Sequence, residues 1–142
     1  MLSQIRWGAA VVGAVVAEVA QIAAAFGWVA VYSYFINPGQ PVETYQAYAQ
    51  AAVPWVAVVA GAPIFYAASR RFAGSVPMAM ALFALFLIAD GSVLVMSGGP
   101  YTGLLLFQAA ASYVTKFPAC WLGGLHATTR TGARLTIGSV PH

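Results

Sequence analysis

From Trp7 to Phe35 the chain carries no base and a single acid, Glu18, set among alanine, valine, glycine and aromatic residues. Such a run can cross a hydrocarbon layer of about 30 Å at about 1.5 Å per residue. It is too long and too apolar for an ordinary soluble helix. Three more apolar runs follow, separated by turn chemistry at Asn37-Pro38-Gly39-Gln40-Pro41, between Ala73 and Pro77, and at Gly98-Gly99-Pro100. The pattern predicts an all-α integral membrane protein. Its four transmembrane helices are expected at about residues 7–36, 44–69, 77–97 and 101–126. Glu43 or Thr44 opens the second helix, and Pro77 suits the first turn of the third. Residues 127–142, rich in Thr, Gly and Arg, are expected to form a flexible cytoplasmic tail. Alternation is absent, which argues against barrel strands. Arg6 followed by an apolar run could open a cleavable signal peptide, but Glu18 interrupts it, so a retained first helix is expected.

The first helix divides into three faces. Glu18, Gln21, Ala25, Trp28 and Tyr32 form a polar-aromatic stripe at spacings of three and four. Beside it Gly13, Ala17, Ala20, Ala24 and Gly27 make a stripe of small residues suited to close helix approach. Val15, Val19, Ile22, Phe26 and Val29 are left to face lipid. Glu18 is therefore expected to point into the bundle or an oligomer interface.

Composition agrees with that picture and narrows it. The 142 residues are 61% hydrophobic and only 6% charged, with mean hydropathy +0.81, whereas soluble domains carry about 25% charged residues. A net charge of +3 would ordinarily suggest an acidic partner. Here the arginines sit at segment ends: Arg6, Arg70, Arg71, Arg130 and Arg134 all fall on one side of a four-pass arrangement. Both termini are thus expected in the cytoplasm. No basic-aromatic patch suggests nucleic acid. The single cysteine, Cys120, excludes an intramolecular disulfide and any CxxC pair. No His/Cys/Asp set has metal-ligand spacing, and one helical histidine, His126, excludes bis-histidine haem within a chain. With His142 in the tail, no Ser-His-acid set is evident, and without strands there is no phosphate loop. No cofactor, metal or catalytic residue is expected.

The chemistry left is in the spans. Counting from the cytoplasmic ends places Glu18, Asp90 and Lys116 at similar depths, roughly 15–20 Å in. Three unpaired charges there would cost about 7–10 kcal/mol on an insertion scale. Lys116 is therefore expected to pair with one acid while the other carries a proton. The preferred assignment is an Asp90–Lys116 pair with Glu18 titrating, the reverse remaining open, as does a static pair that only fixes helix order. Gln108, Ser112 and Lys116 share a face at i, i+4 and i+8, with Tyr113 beside it, resembling the lining of a polar cavity. Each internal proline (Pro54, Pro63, Pro118) frees a carbonyl four residues earlier. Tyr34, Tyr45, Tyr48 and Tyr101 read as an aromatic belt at the outer ends. Gln50-Ala51-Ala52 echoes Gln108-Ala109-Ala110, so a duplicated helix pair is conceivable.

Ala17-Glu18-Val19 in the first helix of a short four-helix chain resembles the small multidrug resistance transporters. The resemblance implies a glutamate that binds drug cations and protons. It covers only those residues. The proline-rich outer loop, Asp90, Lys116 and the charge bias all depart from that family, and no membership is assigned.

The function expected first is proton- or cation-linked binding or transport of a small molecule. Glu18, Asp90 and Lys116 would form the exchange site, lined by Gln21, Gln108 and Tyr113. Two alternatives stand: a non-catalytic subunit or scaffold of a larger membrane complex, and a membrane-embedded enzyme acting on a lipid-soluble substrate. Expected partners are the lipid bilayer, further copies of the chain or other membrane subunits, and a small-molecule or lipid-like ligand. The expected location is a bacterial cytoplasmic (inner) membrane.

Overall fold

A computed structural model describes residues 5–96, 98–99 and 102–137, with side chains up to residue 129. Among the described residues the chain forms four helices and no strand: α1 (Trp7–Val31), α2 (Val42–Ala68), α3 (Val76–Met96) and α4 (Gly103–Ile137). The first two end in π-helical turns, Tyr32–Ile36 and Ser69–Ala73. With those turns, three segments are long and apolar enough to cross a membrane: Trp7–Ile36, Val42–Ala73 and Val76–Met96, of 30, 32 and 21 residues. At 35 residues α4 is longer still, but Gln108, Ser112, Thr115 and Lys116 dilute its apolar character, and it does not qualify by the same measure.

Local chemistry sets the boundaries. Gly39 takes φ +79° in the turn between the first two helices, and Gly74 takes φ +70° where the second π turn ends, a left-handed conformation that glycine reaches without a Cβ clash. Ser75 and Thr102 cap α3 and α4: the Ser75 hydroxyl accepts the Met78 N–H at 3.4 Å and the Thr102 hydroxyl that of Leu105 at 3.2 Å. The Asn37–Pro41 turn is tied down by tyrosines. The Tyr45 hydroxyl accepts the Gln40 N–H at 2.9 Å and donates to the Asn37 carbonyl at 2.9 Å, with the Ser33 carbonyl at 3.4 Å. Tyr48 stacks on Tyr32 with ring centroids 3.5 Å apart and accepts the Trp28 indole N–H at 2.8 Å. Tyr45 and Tyr48 thus join helix ends as well as marking an aromatic level, while Tyr34 is exposed and Tyr101 lies outside the described residues.

The helix bounds differ from expectation at several places, the second helix running on through Arg70 and Arg71 to Ala73 in its π turn. The second helix starts at Val42, because Pro41 can precede a first turn that contains Glu43. The last helix continues to Ile137, through residues expected to begin a tail. Residues 127–137 contain no proline, and a helix already nucleated extends at little cost. Residues 138–142 lie outside the described residues, as do Ser97 and Pro100.

Going round the bundle the order is α1, α2, α4, α3: each packs on its two neighbours, and the diagonal pairs α1/α4 and α2/α3 barely touch. The bundle is thus two antiparallel hairpins, α1/α2 and α3/α4, side by side. In lipid, helices associate through close packing more than through hydrophobic driving force, and small residues provide it. The seam of α1 is Ala10, Gly13, Ala14, Ala17, Gln21 and Ala25, while Val15, Val19, Ile22 and Phe26 face outward as read from the sequence. On α4, a Cβ at Gly123 would lie 2.6 Å from the Tyr66 carbonyl oxygen, and one at Gly124 would lie 2.8 Å from Ala79 Cβ. The apolar core, built on Phe65, Leu82, Phe83 and Phe86, fills only the half of the bundle nearest Arg6, Arg70 and Arg71. Buried residues of α2 stop at Gly61, and those of α3 stop at Phe86. The opposite half is loosely filled.

Candidate functional site

Above the aromatic core, at the level of Lys116, the packing gives way to a cavity of about 240 Å³. Gln21 of α1, Pro54 and Ala57 of α2, Asp90 of α3, and Gln108, Ser112, Tyr113 and Lys116 of α4 all line it. The stripe at i, i+4 and i+8 on α4 turns inward as one face: Gln108 and Ser112 are each 6% exposed and Lys116 only 1%. The remaining walls include Val93, Leu94 and Leu105, so the space runs from mid-bundle toward the end opposite the arginines.

Lys116 is held by shape as much as by charge. Its aliphatic stem fills the notch left by the missing side chain of Gly61; a Cβ there would collide with Lys116 Cε and lie 3.3 Å from both Lys116 Cγ and Gln21 Oε1. The ammonium sits over two aromatic faces, 4.4 Å from the Phe86 centroid and 5.2 Å from that of Phe65. A desolvated cation–π contact is worth about 2 kcal/mol or more, against about 2.5–3.5 kcal/mol for burying the charge at a helix centre. The two rings therefore offset much of the burial cost without any carboxylate touching the ammonium.

That corrects the preferred pairing. Among the described residues no ammonium–carboxylate pair closes to 4.0 Å. Asp90 is instead engaged by Tyr113, whose hydroxyl donates to Oδ2 at 2.6 Å across the α3/α4 contact. Glu18 departs further. It faces an apolar groove of about 270 Å³ between α1 and α3, walled by Val15, Leu85, Phe86 and Ala89, and does not line the polar cavity. Its Oε2 is buried with no hydrogen-bond partner, as is Oε1 of Gln21. Five of the six expected site residues thus share one space, and Glu18 lines a separate groove with Phe86.

Gly61, Phe65 and Phe86 were missed as parts of the site. A glycine two residues before Pro63 in an apolar helix is a signal that Gly61 admits a close neighbour; nothing in the sequence singles out the two phenylalanines. At the arginine end, His126 Nδ1 lies 3.0 Å from the Tyr66 hydroxyl, which ties α4 to α2. Among the described residues no cluster of His, Cys, Asp and Glu could hold a metal. Comparison with known protein families, with characterised proteins and with solved structures gives no match, so the site must be read from its own chemistry.

Proposed function

We propose that this is a membrane protein that binds a small polar molecule in the cavity between its four helices and couples that binding to movement of a proton or cation. The carrying observation is the convergence of Gln21, Asp90, Gln108, Tyr113 and Lys116, from three helices, on one space in a largely apolar bundle. Ionisable groups are rarely kept at such depth without a role in a substrate or ion path. Glu18, in electrical contact with the cavity but outside it, serves as the proton- or cation-exchanging group, while Asp90 and Lys116 contact the ligand.

In this reading α4 is the fourth span. Its polar face is turned to the cavity, which accounts for its lower apolarity. The arginine end faces the cytoplasm, in a bacterial inner membrane, and further copies of the chain or other membrane subunits cover part of the exposed apolar surface.

The test is reconstitution into liposomes loaded with a pH-sensitive dye and challenged with a broad panel of small polar solutes. Solute-evoked proton movement is expected. It should be lost in Asp90→Asn and Lys116→Met, and uncoupled in Glu18→Gln, with all three proteins still eluting as wild type. A response that survives the two cavity variants, or silence across the panel, would overturn the proposal.

A further inference from the structure

Resting on that reading, we propose that the cavity's ligand is a small zwitterion, with a carboxylate received by Lys116 and an ammonium received by Asp90. Two opposite charges line one space, yet they do not neutralise each other within 4.0 Å. In a medium of low dielectric such a pair would close up unless held apart. Both are held. Phe65, Phe86 and the Gly61 notch fix Lys116 on one side, and the Tyr113 hydroxyl fixes Asp90 through Oδ2.

Charge balance selects among ligands. A lone anion would satisfy Lys116 and leave Asp90 without a counter-charge, and a lone cation would do the opposite. A neutral molecule would serve neither. A zwitterion meets both and leaves the net charge of the cavity unchanged. Gln21, 8% exposed with its buried Oε1 lacking a partner beside Lys116, supplies a further acceptor for a ligand N–H. Gln108 and Ser112, each 6% exposed, face the same space.

Size narrows the class. A volume of about 240 Å³ lies below the roughly 300–1,000 Å³ of sites for drug-sized ligands. Val93, Leu94 and Leu105 add an apolar wall, which suits a short aliphatic group. The class is therefore that of a small amino acid.

The experiment is equilibrium binding to the full chain in lipid nanodiscs, with glycine, L-alanine and β-alanine as zwitterions and propionate, propylamine and propionamide as anion, cation and neutral controls. At least one zwitterion is expected to bind roughly tenfold or more tighter than every control. Lys116→Met should abolish the preference for that zwitterion over propylamine, and Asp90→Asn its preference over propionate. Gln21→Leu, which keeps every charge, should weaken zwitterion binding in a protein whose fold is not threatened by an unpaired ion. A control that binds as tightly as the zwitterions, or failure of all three zwitterions at millimolar concentration, overturns this assignment. The cavity reading would still stand on the liposome response to the broader panel, so the two failures are distinguishable.

Discussion

Gly61 and Lys116 occupy each other's space, and that makes their coupling measurable. A methyl group at Gly61 collides with the lysine stem, and overpacking of this kind costs about 1–3 kcal/mol. Gly61→Ala should therefore lower thermal stability in detergent, and most of the loss should vanish in a Lys116→Ala background. The double-mutant cycle should read a coupling of about 0.5–3 kcal/mol. Additive effects would show that the lysine does not lie in the notch. Tyr113→Phe is the contrasting case. Hydrogen bonds between helices in membranes average about 0.6 kcal/mol and reach about 1.7, so its melting temperature should move little while ligand response falls; an unchanged response would remove Tyr113 from the site. At this scale the sequence was readable where a single helix carries the pattern. Gln108, Ser112 and Lys116 fall on one face by spacing alone, and they line the cavity together. Which acid meets which partner was not readable, because that depends on the rotation of one helix against another. Tyr113 donates to Asp90, and Glu18 faces a groove between α1 and α3 apart from the cavity, for reasons no periodicity contains.

Among the elements, α4 is the one on which the bundle is assembled, packing against α2 and α3 through adjacent glycines. Gly123 approaches the backbone at Tyr66 and Arg70, and Gly124 that at Ser75 and Val76. Because backbone cannot swing aside as a side-chain tip can, Gly123→Ala and Gly124→Ala should each cost about 1–3 kcal/mol or more. Heat-challenged size-exclusion profiles should show early loss of the monodisperse peak. Ser75→Ala is milder, about 1 kcal/mol or less given a long cap bond of 3.4 Å, and hydrogen exchange should localise its effect to the first turn of α3. The existence of all four helices was legible from apolar runs and their turn punctuation. The end of α4 was not, since nothing past His126 forbids helix and nothing there demands it.

At the scale of the whole molecule the charge pattern makes the most exposed prediction. Arg6, Arg70 and Arg71 gather at one end of the bundle, away from the Asn37–Pro41 turn. A periplasmic-activity reporter inserted in that turn should be active, and one at the 74–75 connection silent. Replacing Arg70 and Arg71 with alanine should blur that contrast, because the excess of positive residues sets orientation. Equal activity at both places would overturn the topology and, with it, the side from which the cavity is reached.

The tyrosine ties at that same turn carry a mechanical consequence. Tyr45 and Tyr48 buckle the first hairpin at its outer end, so it should behave as the fixed jaw of a clamp. In the proposed reading, admission of a guest should then fall to the second hairpin, whose last helix is pressed against its neighbours at Gly123 and Gly124. Releasing the buckle with Tyr45→Phe would free the wrong jaw, and entry and exit should quicken without a matching change in how tightly the guest is held.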